Sequence, residues 1–165
     1  MLAALASPHP SAAQAIVLAA KDGRLDRVRE MVAADPSQLR VADPQGYTAL
    51  RWAAIRGHRE VVRFLVESGA DANSVGADGG TPLHGAAHHD DPAMMATLLD
   101  AGGIIDFQNQ WGRTPLHAAA RRGCAEVTRL LLDRGADPNA ATRERWSPLN
   151  EAYRGGHPET VAILL

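Results

Sequence analysis

Five residues that can ligate a metal or titrate crowd into one short stretch: His84, His88, His89, Asp90 and Asp91. His84 and His88 are four apart and would share one face of a helix. Zinc wants three or four ligands of this type. Yet His84 recurs at a fixed interval elsewhere in the chain, and a helix this short ends before Asp91. The stretch is therefore read as holding no metal. His88 and His89 are read as surface or contact residues, whose protonation near pH ~6.5 would make their contacts pH-dependent. Cys124 is the sole cysteine. As an exposed thiol it would need an arranged base and an orienting group to act as a nucleophile, and the sequence offers neither. Arg121-Arg122 would suit phosphate oxygens, but the net charge of −2 opposes a general nucleic-acid binder. A phosphate-cradling glycine loop is also missing from the sequence. No catalytic residue, cofactor or metal is assigned. An enzyme, metal-assisted at His88–Asp91, ranks third among the readings.

The chain is 165 residues long, about one ordinary domain. Its hydrophobic fraction of 45% is that of a folded soluble protein, while aromatic residues are scarce at 4%. Abundant alanine and glycine suit closely packed helices and tight turns. The same bias, with arginine, is compatible with a GC-rich bacterial genome. A single cysteine excludes a disulfide-stapled scaffold and fits a reducing compartment. No window approaches the apolar length of a membrane span. The opening Met1-Leu2-Ala3-Ala4-Leu5-Ala6 lacks the basic start of a signal peptide. The localisation expected is cytoplasmic, with a secreted effector left open.

One stretch organises the rest: Gly112-Arg113-Thr114-Pro115-Leu116-His117-Ala118-Ala119-Ala120. Thirty-three residues earlier stands Gly79-Gly80-Thr81-Pro82-Leu83-His84-Gly85-Ala86-Ala87. Thirty-three before that stands Gly46-Tyr47-Thr48-Ala49-Leu50-Arg51-Trp52-Ala53-Ala54, and thirty-three after the first stands Arg145-Trp146-Ser147-Pro148-Leu149-Asn150-Glu151-Ala152-Tyr153. A fixed period of this size marks a repeat solenoid, in which each unit buries its face against its neighbours.

Residues 1–11 read as a flexible leader, with Ser11 a cap for the helix after it. Units follow at about 12–42, 43–75, 76–108, 109–141 and 142–165. Each holds two short helices. In the first unit these are expected from Ala12 to Ala20 and from Asp26 to Ala33; in the second, the second helix runs from Arg59 to Glu67. Thr48, Thr81, Thr114 and Ser147 are placed to cap helix starts, and Pro82 and Pro115 suit the first helical position. Gly57, Gly123 and Gly156 can close first helices in the left-handed conformation. Asp90 occupies the same place and would be strained there. The first unit is offset by 34 residues, and the extra residue fits a longer loop near Asp35-Pro36-Ser37-Gln38. The helices are too short to persist alone, so stacking must hold them. The last unit ends in Ala162-Ile163-Leu164-Leu165, which is apolar where a terminal repeat should be polar. Either the chain is a fragment, or these residues pack against a partner or each other.

The period and the Thr-Pro-Leu-His signature resemble the ankyrin repeat family over about residues 12–165. The resemblance implies an all-α ankyrin repeat solenoid, with stacked helix-turn-helix units and β-turn or hairpin tips. It also implies that the signature histidines, His84 and His117, tie neighbouring turns by hydrogen bonds. Arg51 and Asn150 depart from that histidine. The family has no catalytic centre, and its turn tips and first helices form a concave face that binds other proteins.

On that face the residues left free by the fold carry the information. Tyr47, Trp111 and Trp146 fall at or near turn tips. Arg56, Arg121, Arg122 and Arg154 point to the concave side, with His88 and His89 between them, and Arg113 lies beside a tip. Aromatic residues next to arginines have the composition of a protein-binding hot spot. The arginines suit a partner with acidic residues. The plainer alternative is that the tryptophans cover neighbouring turns and the arginines are a solvated face. The reading is a non-enzymatic protein-protein interaction module for a protein or peptide, monomeric, without nucleic acid or membrane. The alternative is a structural or self-associating subunit using Ile163–Leu165.

Overall fold

A computed structural model describes residues 14–165. The leader, the Ser11 cap and the expected helix start at Ala12 lie outside the described residues. Among the described residues ten short α-helices alternate between two layers. The inner layer holds α1 (Ala15–Lys21), α3 (Ala49–Arg56), α5 (Pro82–Ala86), α7 (Pro115–Arg122) and α9 (Pro148–Gly155). The outer layer holds α2 (Leu25–Ala34), α4 (Arg59–Glu67), α6 (Pro92–Asp100), α8 (Ala125–Asp133) and α10 (Pro158–Leu164). Each inner helix packs on the next inner helix, and each outer helix on the next outer one.

The repeat period becomes columns of buried side chains. Ile16, Leu50, Leu83 and Leu116 form one inner column, and all four are buried. Leu65, Leu98 and Leu131 form an outer column, also buried. Full burial of each such residue contributes about 1.5–3 kcal/mol. No helix here has the length to stand alone, so these columns join neighbouring repeats into one cooperative stack.

Capping follows the sequence closely. Thr48 Oγ1 accepts from the Arg51 N–H at 3.3 Å. In the third repeat the Thr81 N–H donates to His84 Nδ1 at 3.2 Å. That leaves the proton on Nε2, which donates to the Arg113 carbonyl at 2.9 Å. His117 repeats both bonds, from the Thr114 N–H at 3.2 Å and to the Trp146 carbonyl at 3.0 Å. Each signature histidine thus joins its own helix start to the next turn. In the fifth repeat Asn150 Oδ1 keeps the local half, accepting from the Ser147 N–H at 2.9 Å.

The turn tips form fingers linked edge to edge by main-chain bonds. The Ala77 N–H donates to the Gln45 carbonyl at 2.8 Å, Gln110 N–H to Asp78 at 3.3 Å, and Arg143 N–H to Trp111 at 3.1 Å.

Two expectations change. The loop near Asp35-Pro36-Ser37-Gln38 is an ordered 3-10 helix, Pro36–Arg40, which Asp35 starts by accepting from the Ser37 N–H at 3.0 Å. Asp90 is not left-handed. The residue other than glycine with positive φ, among those described, is Arg145 at 63°. It stands at a fingertip position that Gly46, Gly79 and Gly112 fill in other repeats at 71–75°. Gly57, Gly123 and Gly156 do take φ of 72–74°. The third repeat avoids that turn because α5 ends early, at Ala86, after five residues where α3, α7 and α9 have eight.

Candidate functional site

The early end of α5 shapes the concave face. His88–Asp91 leave the helix as a non-helical link. His89 Nε2 then bonds to the Ile55 carbonyl at 2.8 Å. His58 and His157 make the same inter-repeat bond, to the Lys21 carbonyl at 3.0 Å and the Arg121 carbonyl at 3.1 Å. So His89 takes over a role that the period assigns to position 91. The fourth repeat carries Cys124 at that position, and there the joint is made differently. Asp90 Oδ1 accepts from the Val127 N–H, in the first turn of α8, at 3.0 Å.

With α5 short, α5 and α7 touch least of all neighbouring inner helices. A cleft of about 360 Å³ opens between them. Gly85 and Ala118 are among its lining residues, at positions where the second and fifth repeats carry Trp52 and Glu151. Ile55, His88 and Arg121 line it from the helices; Asp78, Asn109, Trp111 and Arg113 line it from the fingers. Gly85 is required by close approach. A Cβ there would come within 2.9 Å of the Ile55 side chain and 3.1 Å of its backbone nitrogen.

The charges in the cleft are mostly spoken for. Asp78 takes Arg51 Nη2 at 2.8 and 2.6 Å on its two oxygens. Arg51 replaces the signature histidine and is only 3% exposed. Its guanidinium lies 4.3 Å from the Tyr47 ring centre. Arg113 Nε donates to Glu151 at 3.1 Å, and Glu151 is 2% exposed. Arg122 Nε donates to His88 Nδ1 at 3.2 Å. Desolvation, and then the guanidinium charges led by Arg122, push the His88 pKa below the ordinary 6.5. Because Nδ1 accepts the Arg122 N–H it carries no proton, which places the proton of the neutral ring on Nε2. Among the described residues the Arg121 side chain has neither an ion-pair nor a hydrogen-bond partner.

The ten candidate contact residues separate into groups. His88, Trp111, Arg113 and Arg121 come together in the one cleft, and Arg122 reaches it through His88. Trp111 is 49% exposed and also borders a smaller cleft with Thr142, Arg143 and Glu144. Tyr47 and Arg56 lie apart, around Trp52. Tyr47 meets that ring edge-on at 5.5 Å, and the Arg56 guanidinium lies 5.9 Å from its centre. Trp52 itself donates Nε1–H to Asp43 at 2.8 Å and carries Lys21 Nζ at 4.1 Å. Trp146 and Arg154 pair at the other end, with the guanidinium 5.1 Å from the ring centre. His89 is held in the inter-repeat bond just described.

The sequence reading missed Gly85, Ala118 and Asn109. The signal was present in the aligned repeats, where position 52/85/118/151 reads Trp, Gly, Ala, Glu. Two small residues side by side mark where the inner face is hollow.

Neither the metal cluster nor the reactive thiol assembles. His84 serves Arg113, His89 serves Ile55, and Asp90 serves Val127. Asp91 accepts from the Met94 N–H at 3.0 Å and from Arg59 at 2.8 Å. No group of three metal-ligating side chains gathers among the described residues. Cys124 is buried rather than exposed, and burial, with the Asp90 charge nearby, raises its pKa to about 11. No helix among the described residues is long and apolar enough to cross a membrane.

Comparison with known proteins agrees with this architecture. The family described as ankyrin repeats (3 copies) matches residues 3–76 and 83–165. Palmitoyltransferase akr1 of Schizosaccharomyces pombe is 38% identical over 63 residues, which is 38% of this chain and 10% of that protein. The 26S proteasome non-ATPase regulatory subunit 10 of Rattus norvegicus is 38% identical over 63 residues, 38% of this chain and 27% of the subunit. Protein phosphatase 1 regulatory subunit 12A of Mus musculus is 51% identical over 43 residues, 26% of this chain and 4% of that protein. The matched stretches thus span about a quarter or less of these relatives' own lengths. All three are eukaryotic, so the bacterial origin expected from composition draws no support from them. Repeats of this kind are protein-interaction modules and are generally non-enzymatic. With its recurring helix pairs, histidine-tied turns and linked fingers, this chain belongs to the ankyrin repeat family.

Proposed function

We propose that the chain is a non-enzymatic module that binds a partner protein through its fingers and concave face, centred on the cleft between α5 and α7. One observation carries this reading. Trp111, 49% exposed, stands at a fingertip beside a cleft that also holds Arg121 and His88. Exposed tryptophan next to arginine is the composition in which binding energy concentrates. Two relatives bear the names of regulatory subunits, of a proteasome and of a phosphatase, and so belong to assemblies. A cytoplasmic setting fits a lone buried cysteine. The net charge of −2 weighs against nucleic acid as the partner.

Affinity capture from a native lysate tests the reading. The chain is run beside a variant carrying Trp111→Ala, Arg121→Glu and Arg122→Glu, with circular dichroism to check folding. A protein held by the first and lost by the folded variant supports the concave face. Equal capture by both excludes it.

A second reading rests on the other end of the stack. Tyr153 and Leu165 are 80% and 90% exposed and line an apolar cleft of about 330 Å³ with Pro158 and Val161. Leu164 packs on the core and Leu165 does not. An exposed apolar patch of this kind would serve self-association. Light scattering over a concentration series tests it: a strictly monomeric species rules it out.

A further inference from the structure

The α5–α7 cleft has a charge balance of its own. Three formally charged side chains line it: Asp78, Arg113 and Arg121. Asp78 is neutralised by Arg51, and Arg113 by Glu151. Arg121 is left without a counter-charge among the described residues. Arg122 adds a second guanidinium at the mouth, bonded to a neutral nitrogen of His88 rather than to a carboxylate. A bond from Arg122 to Nδ1 leaves the His88 Nε2–H as a donor, and that donor has no partner among the described residues. The unmet groups here are thus all hydrogen-bond donors, two of them on cations. Beside them lie apolar surfaces: Ile55, Ala118 and the exposed ring of Trp111.

The volume limits what can enter. A cleft of about 360 Å³ lies at the small end of ligand pockets, which run from about 300 to 1,000 Å³. It admits a few side chains of a linear segment rather than the face of a folded domain. A guanidinium offers a planar fork that matches a carboxylate, and the open side of Trp111 suits an apolar neighbour of that carboxylate.

Building on the interaction-module reading, we infer that the α5–α7 cleft takes a linear peptide segment of its partner, with an Asp or Glu side chain on Arg121 and an adjacent apolar side chain against Trp111 and Ala118. The carboxylate supplies the counter-charge that Asp78 and Glu151, already engaged, cannot give. Arg122 and the His88 Nε2–H flank it as further donors.

The test pans a random twelve-residue peptide display library against the full chain, Arg121→Gln, and Trp111→Ala. The expected result is enrichment of peptides that place Asp or Glu next to an apolar residue. Binding of such a peptide should fall about tenfold or more on Arg121→Gln, as for loss of a hydrogen bond to a charged group. It should also weaken with added salt, as a surface-accessible charge contact does. Enriched peptides that lack carboxylates, and lose binding only on Trp111→Ala, would overturn the acidic inference and leave the module reading standing. Replacing the acidic residue by phosphoserine provides the remaining arm. Binding more than about tenfold tighter would assign Arg121 and Arg122 to a phosphate and overturn the carboxylate. Absence of any enriched peptide would overturn the linear-segment inference, while protein capture by the concave face would still decide the module reading.

Discussion

Asp90 Oδ1 lies 3.0 Å from the Val127 nitrogen and accepts its N–H, so a residue of the third repeat caps a helix of the fourth. Cys124, the residue before α8, provides no side-chain cap of its own. Asp90→Ala should cost about 1 kcal/mol, the typical worth of an N-cap bond. Urea denaturation of the two proteins measures it. An unchanged midpoint would show that the bond contributes nothing to the joint.

Arg145 holds φ at 63°, where the aligned fingertips carry glycine. The left-handed conformation costs an ordinary residue about 1–2 kcal/mol. Arg145→Gly removes that strain but adds some freedom to the unfolded chain. The net expectation is a gain of up to about 1 kcal/mol, read as a higher urea midpoint at constant slope.

Arg51 and Asp78 form an ion pair with the guanidinium fully inside the finger layer. Removing one partner leaves the other without compensation. Arg51→Ala should cost about 3 kcal/mol, the low end for breaking a buried pair, because Asp78 stays partly solvated. The paired variant Arg51→Ala with Asp78→Ala should be less destabilised than the sum of the two single changes. Strict additivity would mean that the pair is not coupled.

Acid should loosen the stack before carboxylates titrate. Desolvation lowers the His84 pKa from 6.5 to about 4, and His117 is lowered for the same first cause. Below pH 6.5 the unfolded chain binds protons that the folded chain refuses, so stability falls as pH falls. His84 alone should account for about 3 kcal/mol, complete above pH 6.5 and lost by pH 4. His84→Asn keeps a group able to accept the cap bond, as Asn150 does at 2.9 Å. Its stability should depend less steeply on pH over that window. An equally steep fall would place the effect elsewhere.

Most of the fold was legible because the period carries it. The caps Thr48, Thr81, Thr114 and Ser147, the left-handed Gly57, Gly123 and Gly156, and the buried leucine column all follow from repeating types at fixed positions. The departures were harder. Position 90 was read as a strained copy of Gly57, since alignment assumes each repeat keeps its helix length. In fact α5 gives up its last turn, which frees His89 to replace an absent histidine and Asp90 to cap the next repeat. Arg51 was read as a plain loss of the signature histidine, but its length lets it reach Asp78 on the neighbouring finger. The contact residues were named one by one, and only three-dimensional packing separates those of the α5–α7 cleft from Tyr47 and Arg56 at one end and Trp146 and Arg154 at the other. The hollow itself follows the early end of α5, and the small residues among its lining, Gly85 and Ala118, carry no chemistry that would mark them in the sequence.

Hydrogen–deuterium exchange of the chain, alone and saturated with its captured partner, tests the central claim most directly. A partner seated in the α5–α7 cleft should slow exchange in the finger around Asn109–Arg113 and in the segment from His84 to His89, leaving α2, α4 and α10 unchanged. Protection confined to the outer helices, or to α9 and α10 around Tyr153 and Leu165, would contradict it.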